Sequence, residues 1–122
     1  MGRTLLSGCI ILVVEEQPLI ALELQTALEG AGAKVFVVRD GAAAVDLVES
    51  SKFSGAVLDL RPASNEHRHV ARLLKRKGVR FLFYATHPPE DVATTRGAPV
   101  LLKPTSAQEV VRALAVLIYG DK

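Results

Sequence analysis

Five short apolar runs rich in β-branched residues alternate along this 122-residue chain with stretches of helical period. That alternation is the signature of a parallel α/β sheet and limits the fold more than any other feature. The runs are Cys9 to Val14, Lys34 to Val38, Gly55 to Leu58, Val79 to Ala85 and Pro99 to Leu102. Between the first two, Ile20, Leu24, Ala27, Leu28 and Ala31 recur at helical spacing, with Pro18 near the start and Gly30 and Gly32 near the end. A second helix is expected over about Ala42 to Ser50, with Ala44, Val45 and Val48 on one side. A third carries Val70, Leu73 and Leu74 among Arg68, Arg72, Lys75, Arg76 and Lys77, whose basic run reads as a solvated face. The last opens on Ser106-Ala107-Gln108-Glu109, which fits a capping box, and continues through Val110, Val111, Leu114, Leu117 and Ile118 at core spacing. The stretch Thr86 to Ala98, rich in Pro, Thr and Gly, is expected to hold two turns of helix at most.

No internal repeat or low-complexity linker interrupts this pattern, and right-handed crossovers give an open, doubly wound sheet with helices on both faces. A chain of this length suits one domain, expected over residues 1–122 with its core at about 9–119 and no output domain. Lys and Arg number 15 against 13 Asp and Glu, a net charge of +2, which is weak support for a nucleic-acid partner. The single cysteine, Cys9, sits in apolar sequence and has no internal partner, which fits a reducing compartment. The apolar run before Glu15 falls far short of the roughly 20 residues of a membrane span. No signal-peptide pattern precedes that run, and Leu6 stands where a myristoylation signal needs Ser or Thr. The expectation is a soluble, cytoplasmic protein without a membrane or nucleic-acid partner.

Open sheets of this kind bind ligands outside the carboxyl ends of their strands. There the sequence places Glu15 and Glu16 after the first run, Asp59 after the third, Ala85 and Thr86 at the end of the fourth, and Lys103-Pro104 after the fifth. Carboxylates brought together repel, so the site calls for a divalent cation, raised pKa values or a cationic side chain. An all-oxygen site suits Mg²⁺. A carboxylate beside Mg²⁺ and a lysine is placed to attack a phosphoryl donor, with Asp59 as the nucleophile.

On the stretches ILVVEEQPLIALEL, AVLDL and VLLKP the chain resembles the receiver domains of two-component response regulators, over nearly its whole length. The resemblance implies a flavodoxin-like, five-stranded parallel sheet in the order 2-1-3-4-5. The wording GAPVLLKP is similar to a subgroup of receivers with a reduced fourth helix. It implies that Asp59 is phosphorylated by a histidine kinase or phosphotransfer protein, and that Glu15, Glu16, Asp59 and the backbone carbonyl of Arg61 hold Mg²⁺. It makes Lys103 the partner of the phosphoryl group and the module a non-enzymatic one, acting in phosphorelay signalling through an unknown downstream protein. A homodimer is left open.

Four positions depart from the family pattern. Glu16 stands where Asp is usual, one methylene longer, which disfavours the near-ideal octahedron Mg²⁺ demands. Ala85 stands at the usual Thr or Ser position at the end of strand four, with Thr86 one place later, and one step along a strand turns a side chain to the other face. Val100 replaces the usual aromatic of strand five. Arg61 sets a permanent cation two residues after Asp59. The leading reading is therefore a phosphoaccepting receiver, and the alternative is a pseudo-receiver that binds a partner irrespective of phosphate.

Other classes find less support. Aspartyl phosphatases commonly carry a second Asp two residues after the nucleophile, where this chain has Arg61, and no Gly-rich phosphate loop follows the first run, where Gln17-Pro18 stand. His67 and His69 diverge on a helix and His87 is distant in sequence, so zinc is not expected.

Overall fold

The computed structural model describes residues 5–59, 65–87, 95, 97–103 and 105–120, with the backbone alone for 65–67. The elements in chain order are β1 (Ile10–Val14), α1 (Pro18–Gly30), β2 (Lys34–Val38), α2 (Gly41–Ser50), β3 (Gly55–Asp59), α3 (Asn65–Arg76), β4 (Arg80–Ala85), β5 (Val100–Leu102) and α4 (Ala107–Tyr119). The five strands pair in parallel in the order β2-β1-β3-β4-β5. This is the doubly wound, flavodoxin-like sheet that the sequence implies. The stretch between Thr86 and Ala98, expected to hold two turns of helix at most, falls largely on 88–94 and 96, outside the described residues. Among the described residues no helix is long and apolar enough to cross a membrane.

Burial follows from position in the sheet. A central parallel strand is covered on both faces and must be apolar throughout. Accordingly β3 is buried at every position and β1 at all but its first. The edge strand β2 is only partly covered, and the Lys34 ammonium lies 5.5 Å from the Phe36 ring centroid on it. A lysine there discourages further strand pairing.

Strand parity divides the core. Ile11 and Val13 of β1, Val57 of β3, and Leu82 and Tyr84 of β4 pack with Leu24 and Leu28 of α1 and with Val110, Val111 and Leu114 of α4. Leu12, Val14, Ala56, Leu58, Phe81 and Phe83 point the other way, against Ala44 and Val48 of α2 and Val70, Ala71, Leu73 and Leu74 of α3. Gly55 opens β3 because α4 lies close. A Cβ there would stand 3.0 Å from Ile118 Cδ1 and 3.2 Å from Leu114 Cδ1.

The helix ends are set by local chemistry. Pro18 occupies the first turn of α1, where its missing N–H costs no hydrogen bond. Gly32 closes that helix at φ 100°, a left-handed conformation suited to glycine, and donates its N–H to the Glu29 carbonyl at 3.0 Å. The Asp40 carboxylate caps the start of α2 by accepting the Ala43 N–H at 2.9 Å, a start signal the hydrophobic pattern does not contain. At α4 one half of the expected capping box forms. The Ser106 hydroxyl accepts the Glu109 N–H at 3.2 Å, while the Glu109 carboxylate accepts from the Arg112 guanidinium at 2.8 Å. One member of the basic run that closes α3 also has a specific role, since the Lys77 ammonium, just past the helix, donates to the Val48 carbonyl of α2 at 2.7 Å.

Leu114 is fully buried where α4 meets β3. Leu114→Ala is expected to cost about 2–5 kcal/mol of stability, measured by urea unfolding followed by far-ultraviolet circular dichroism.

Candidate functional site

Parallel strands deliver their carboxyl ends to one edge, and parity decides which side chains face one another there. Glu15 lies two residues after Val13, Asp59 two after Val57, Tyr84 two after Leu82 and Lys103 two after Leu101. Each continues the row that faces α1 and α4. The register aligns the rows, with Val13 opposite Val57, Asp59 opposite Tyr84 and Tyr84 opposite Leu101.

The result is a compact ionic cleft. The Lys103 ammonium stands 3.3 Å from Glu15 Oε1 and 3.6 Å from Asp59 Oδ1. Side-chain exposures of 12% for Lys103, 1% for Glu15 and 11% for Asp59 make this a largely desolvated group. The second Glu15 oxygen accepts the Gln17 N–H at 3.1 Å, at the start of α1, where the helix dipole favours negative charge. The Lys103 N–H donates to the Ala85 carbonyl at 2.7 Å, which ties the exit of β5 to the end of β4.

Burial pushes the Glu15 carboxyl above its ordinary range, and the Asp59 charge pushes the same way. The Gln17 hydrogen bond and the Lys103 charge oppose them. Two like charges held by one ammonium form a set of hard oxygen donors that gains from further positive charge, so the donor chemistry fits a hard divalent cation. Glu16 continues the opposite row and is exposed. Among the described residues no group of three or more His, Cys, Asp or Glu side chains stands close enough to hold a metal ion. Arg61 lies outside the described residues.

One participant was not singled out from the sequence. Tyr84 is buried, its ring centroid lies 5.4 Å from the Lys103 ammonium, and its hydroxyl donates to the Thr105 carbonyl. Burial raises its phenol pKa, with the Lys103 charge acting against that. The signal was present in the alternation of RFLFYA, where Tyr84 shares the parity of Leu82.

No family model matches the chain. The chain is 33% identical over 96 residues to the phyllosphere-induced regulator PhyR of Methylorubrum extorquens, a match covering 75% of this chain and 36% of that protein. It therefore spans little more than a third of that relative's length. The structure superposes on a response regulator receiver protein from Sinorhizobium medicae WSM419 with a TM-score of 0.82 and 21% identity, covering 92% of this chain and 95% of that one. The fold is that of a response regulator receiver domain. A second receiver domain, from a sensor histidine kinase of Pseudomonas aeruginosa PAO1, gives a TM-score of 0.79 at 23% identity, covering 93% of this chain and all of its own (100%). That structure carries a magnesium ion coordinated in its active-site cleft.

Within this receiver fold the described residues bring Glu15, Asp59 and Lys103 together and leave Glu16 exposed. Ala85 is fully buried at the end of β4, opposite Leu102, and offers no hydroxyl. Thr86 follows the strand and is exposed, and Val100 is half-buried on the α2 and α3 side.

Removing the cation from this cleft tests its electrostatics. Lys103→Met leaves two buried carboxylates without their ammonium and is expected to cost about 3 kcal/mol at neutral pH. Its loss also lifts the folded-state pKa of Glu15 further above the ordinary value of 4.5. A carboxyl raised on folding binds more protons in the native state, so stability falls as pH climbs through the window above 4.5. The gap between variant and wild type should therefore narrow on acidification towards that value, as read by denaturant unfolding at several pH values.

Proposed function

We propose that the chain is a phosphoaccepting receiver of a two-component phosphorelay, with Asp59 as the residue modified. The observation that carries this reading is the Lys103 ammonium set between the Asp59 and Glu15 carboxylates at the carboxyl edge of the sheet. In the transfer, an Asp59 carboxylate oxygen forms the new P–O bond as the donor's bond to phosphorus breaks. The donor is a phosphohistidine of a kinase or phosphotransfer protein, and the imidazole leaves with the bonding electron pair. Lys103 neutralises charge on the transferred oxygens, and Glu15 holds Lys103 towards them. Mg²⁺, when bound by the Glu15 and Asp59 carboxylates, would neutralise further charge on the same oxygens. The charge added on Asp59 would alter a surface read by a partner protein.

One observation favours a second reading. Ala85 presents a methyl group where a hydroxyl would report the phosphoryl group, and in that case the fold serves as a protein-binding module independent of phosphate. Incubation with acetyl phosphate and Mg²⁺, followed by intact mass, separates the two. The receiver reading predicts a gain of one phosphoryl group, lost in Asp59→Asn and on chelation of the metal, and strongly reduced in Lys103→Met. An unmodified, folded wild-type protein would support the binding module.

A further inference from the structure

The cleft touches the rest of the molecule through a residue with no place in the proposed transfer chemistry. Tyr84 lies opposite Asp59 in the register and beneath the Lys103 ammonium. Its hydroxyl reaches past Lys103 to the Thr105 carbonyl, while the next residue, Ala85, accepts the Lys103 N–H. Two consecutive residues of β4 thus grip the main chain at Lys103 and at Thr105. Thr105 and Ser106 line an open groove against Leu22, Glu23 and Thr26 of α1, and Ser106 caps α4. A displacement of the Thr105 carbonyl therefore bears on both the groove wall and the start of α4.

We propose that Tyr84 is a positioning residue whose ring holds the Lys103 ammonium over the Glu15 and Asp59 pair and whose hydroxyl transmits a change of charge in that cleft to Thr105 and the groove beside α1. The ring supplies the attraction of an aromatic face for a cation in a site poor in water. The hydroxyl supplies a directional link to a backbone acceptor two residues beyond the cation. When the charge on Asp59 changes, Lys103 shifts relative to the ring, and the Tyr84 to Thr105 bond carries that shift to the turn before α4. The positioning role stands on the geometry alone, and its use as a phosphorylation signal rests on the reading of Asp59 given above.

Amide NMR of four proteins tests it: wild type, Asp59→Asn, Tyr84→Phe and the double variant. The expected result is that Asp59→Asn displaces the amides of Thr105 to Gln108 and of Glu23 and Thr26 in the wild-type background. In Tyr84→Phe, which keeps the ring and loses the hydroxyl, those displacements should fall by more than half while that at Lys103 persists. The Lys103 Hε resonances should be ring-current shifted upfield in wild type and in Tyr84→Phe, and return to ordinary values in Tyr84→Leu. Equal displacements at Thr105 to Gln108 with and without the hydroxyl, or Lys103 Hε shifts indifferent to Tyr84→Leu, would overturn the proposal. Tyr84→Phe carries the relay test by itself should the leucine variant fail to fold, and unshifted Lys103 Hε resonances in wild type would by themselves refute the positioning role. Beryllofluoride with Mg²⁺, added to the wild type, probes the phosphoacceptor reading separately. Coupling through Tyr84 without any beryllofluoride response would support the positioning role and remove Asp59 as the phosphoacceptor.

Discussion

Two carboxylates buried at the ends of adjacent strands repel one another, and the Lys103 ammonium is what makes that arrangement tolerable. The rest of the carboxyl edge is arranged to keep that cation in place. The Lys103 main chain is tied to Ala85, its side chain lies over Tyr84, and Tyr84 in turn fixes Thr105. Glu15 is held from the other side by the Gln17 N–H at the start of α1. Strand β5 spans only Val100–Leu102, so its exit is positioned by these contacts at least as much as by its own ladder.

The apolar layers on the two faces of the sheet supply most of the stability, and the cleft is a local cost they carry. Such a conflict between local electrostatics and global packing is expected where a fold holds a reactive group. A buried carboxylate whose cation is shared with a neighbour is prepared to receive a charged ligand, because the balance of charge can be remade without remaking the core. On the proposed reading, the same sharing makes Lys103 the group that registers that change. The fully buried Ala85 offers no hydroxyl for the purpose, while Tyr84, one residue earlier and on the other face, touches both the cation and the turn before α4.

Much of this was legible in the sequence because it rests on local patterns. The five apolar runs predict the strands to within one residue at each end, and Pro18, Gly32 and Ser106 mark helix ends with chemistry visible in the residues themselves. The convergence of Glu15, Asp59 and Lys103 follows from strand ends in a parallel sheet. What was not legible depends on parity and register, which a list of strand-end residues does not contain. Adjacent Glu15 and Glu16 look equivalent in sequence, yet they continue opposite rows of β1, and one is buried while the other is exposed. Tyr84 reads as one more core aromatic until the register places it opposite Asp59. The Asp40 cap was hidden for a different reason, since an exposed Asp before a Gly gives no sign of which backbone N–H it will accept.

The most direct measurement of the account as a whole is a crystal structure of the protein soaked with beryllofluoride and Mg²⁺. The account predicts beryllium on an Asp59 carboxylate oxygen, with the Lys103 ammonium moved from Glu15 onto a fluoride and Mg²⁺ beside the Glu15 and Asp59 carboxylates. A crystal of the same fold soaked in the same way, in which Asp59 carries no adduct and Lys103 still bridges the two carboxylates, would contradict it.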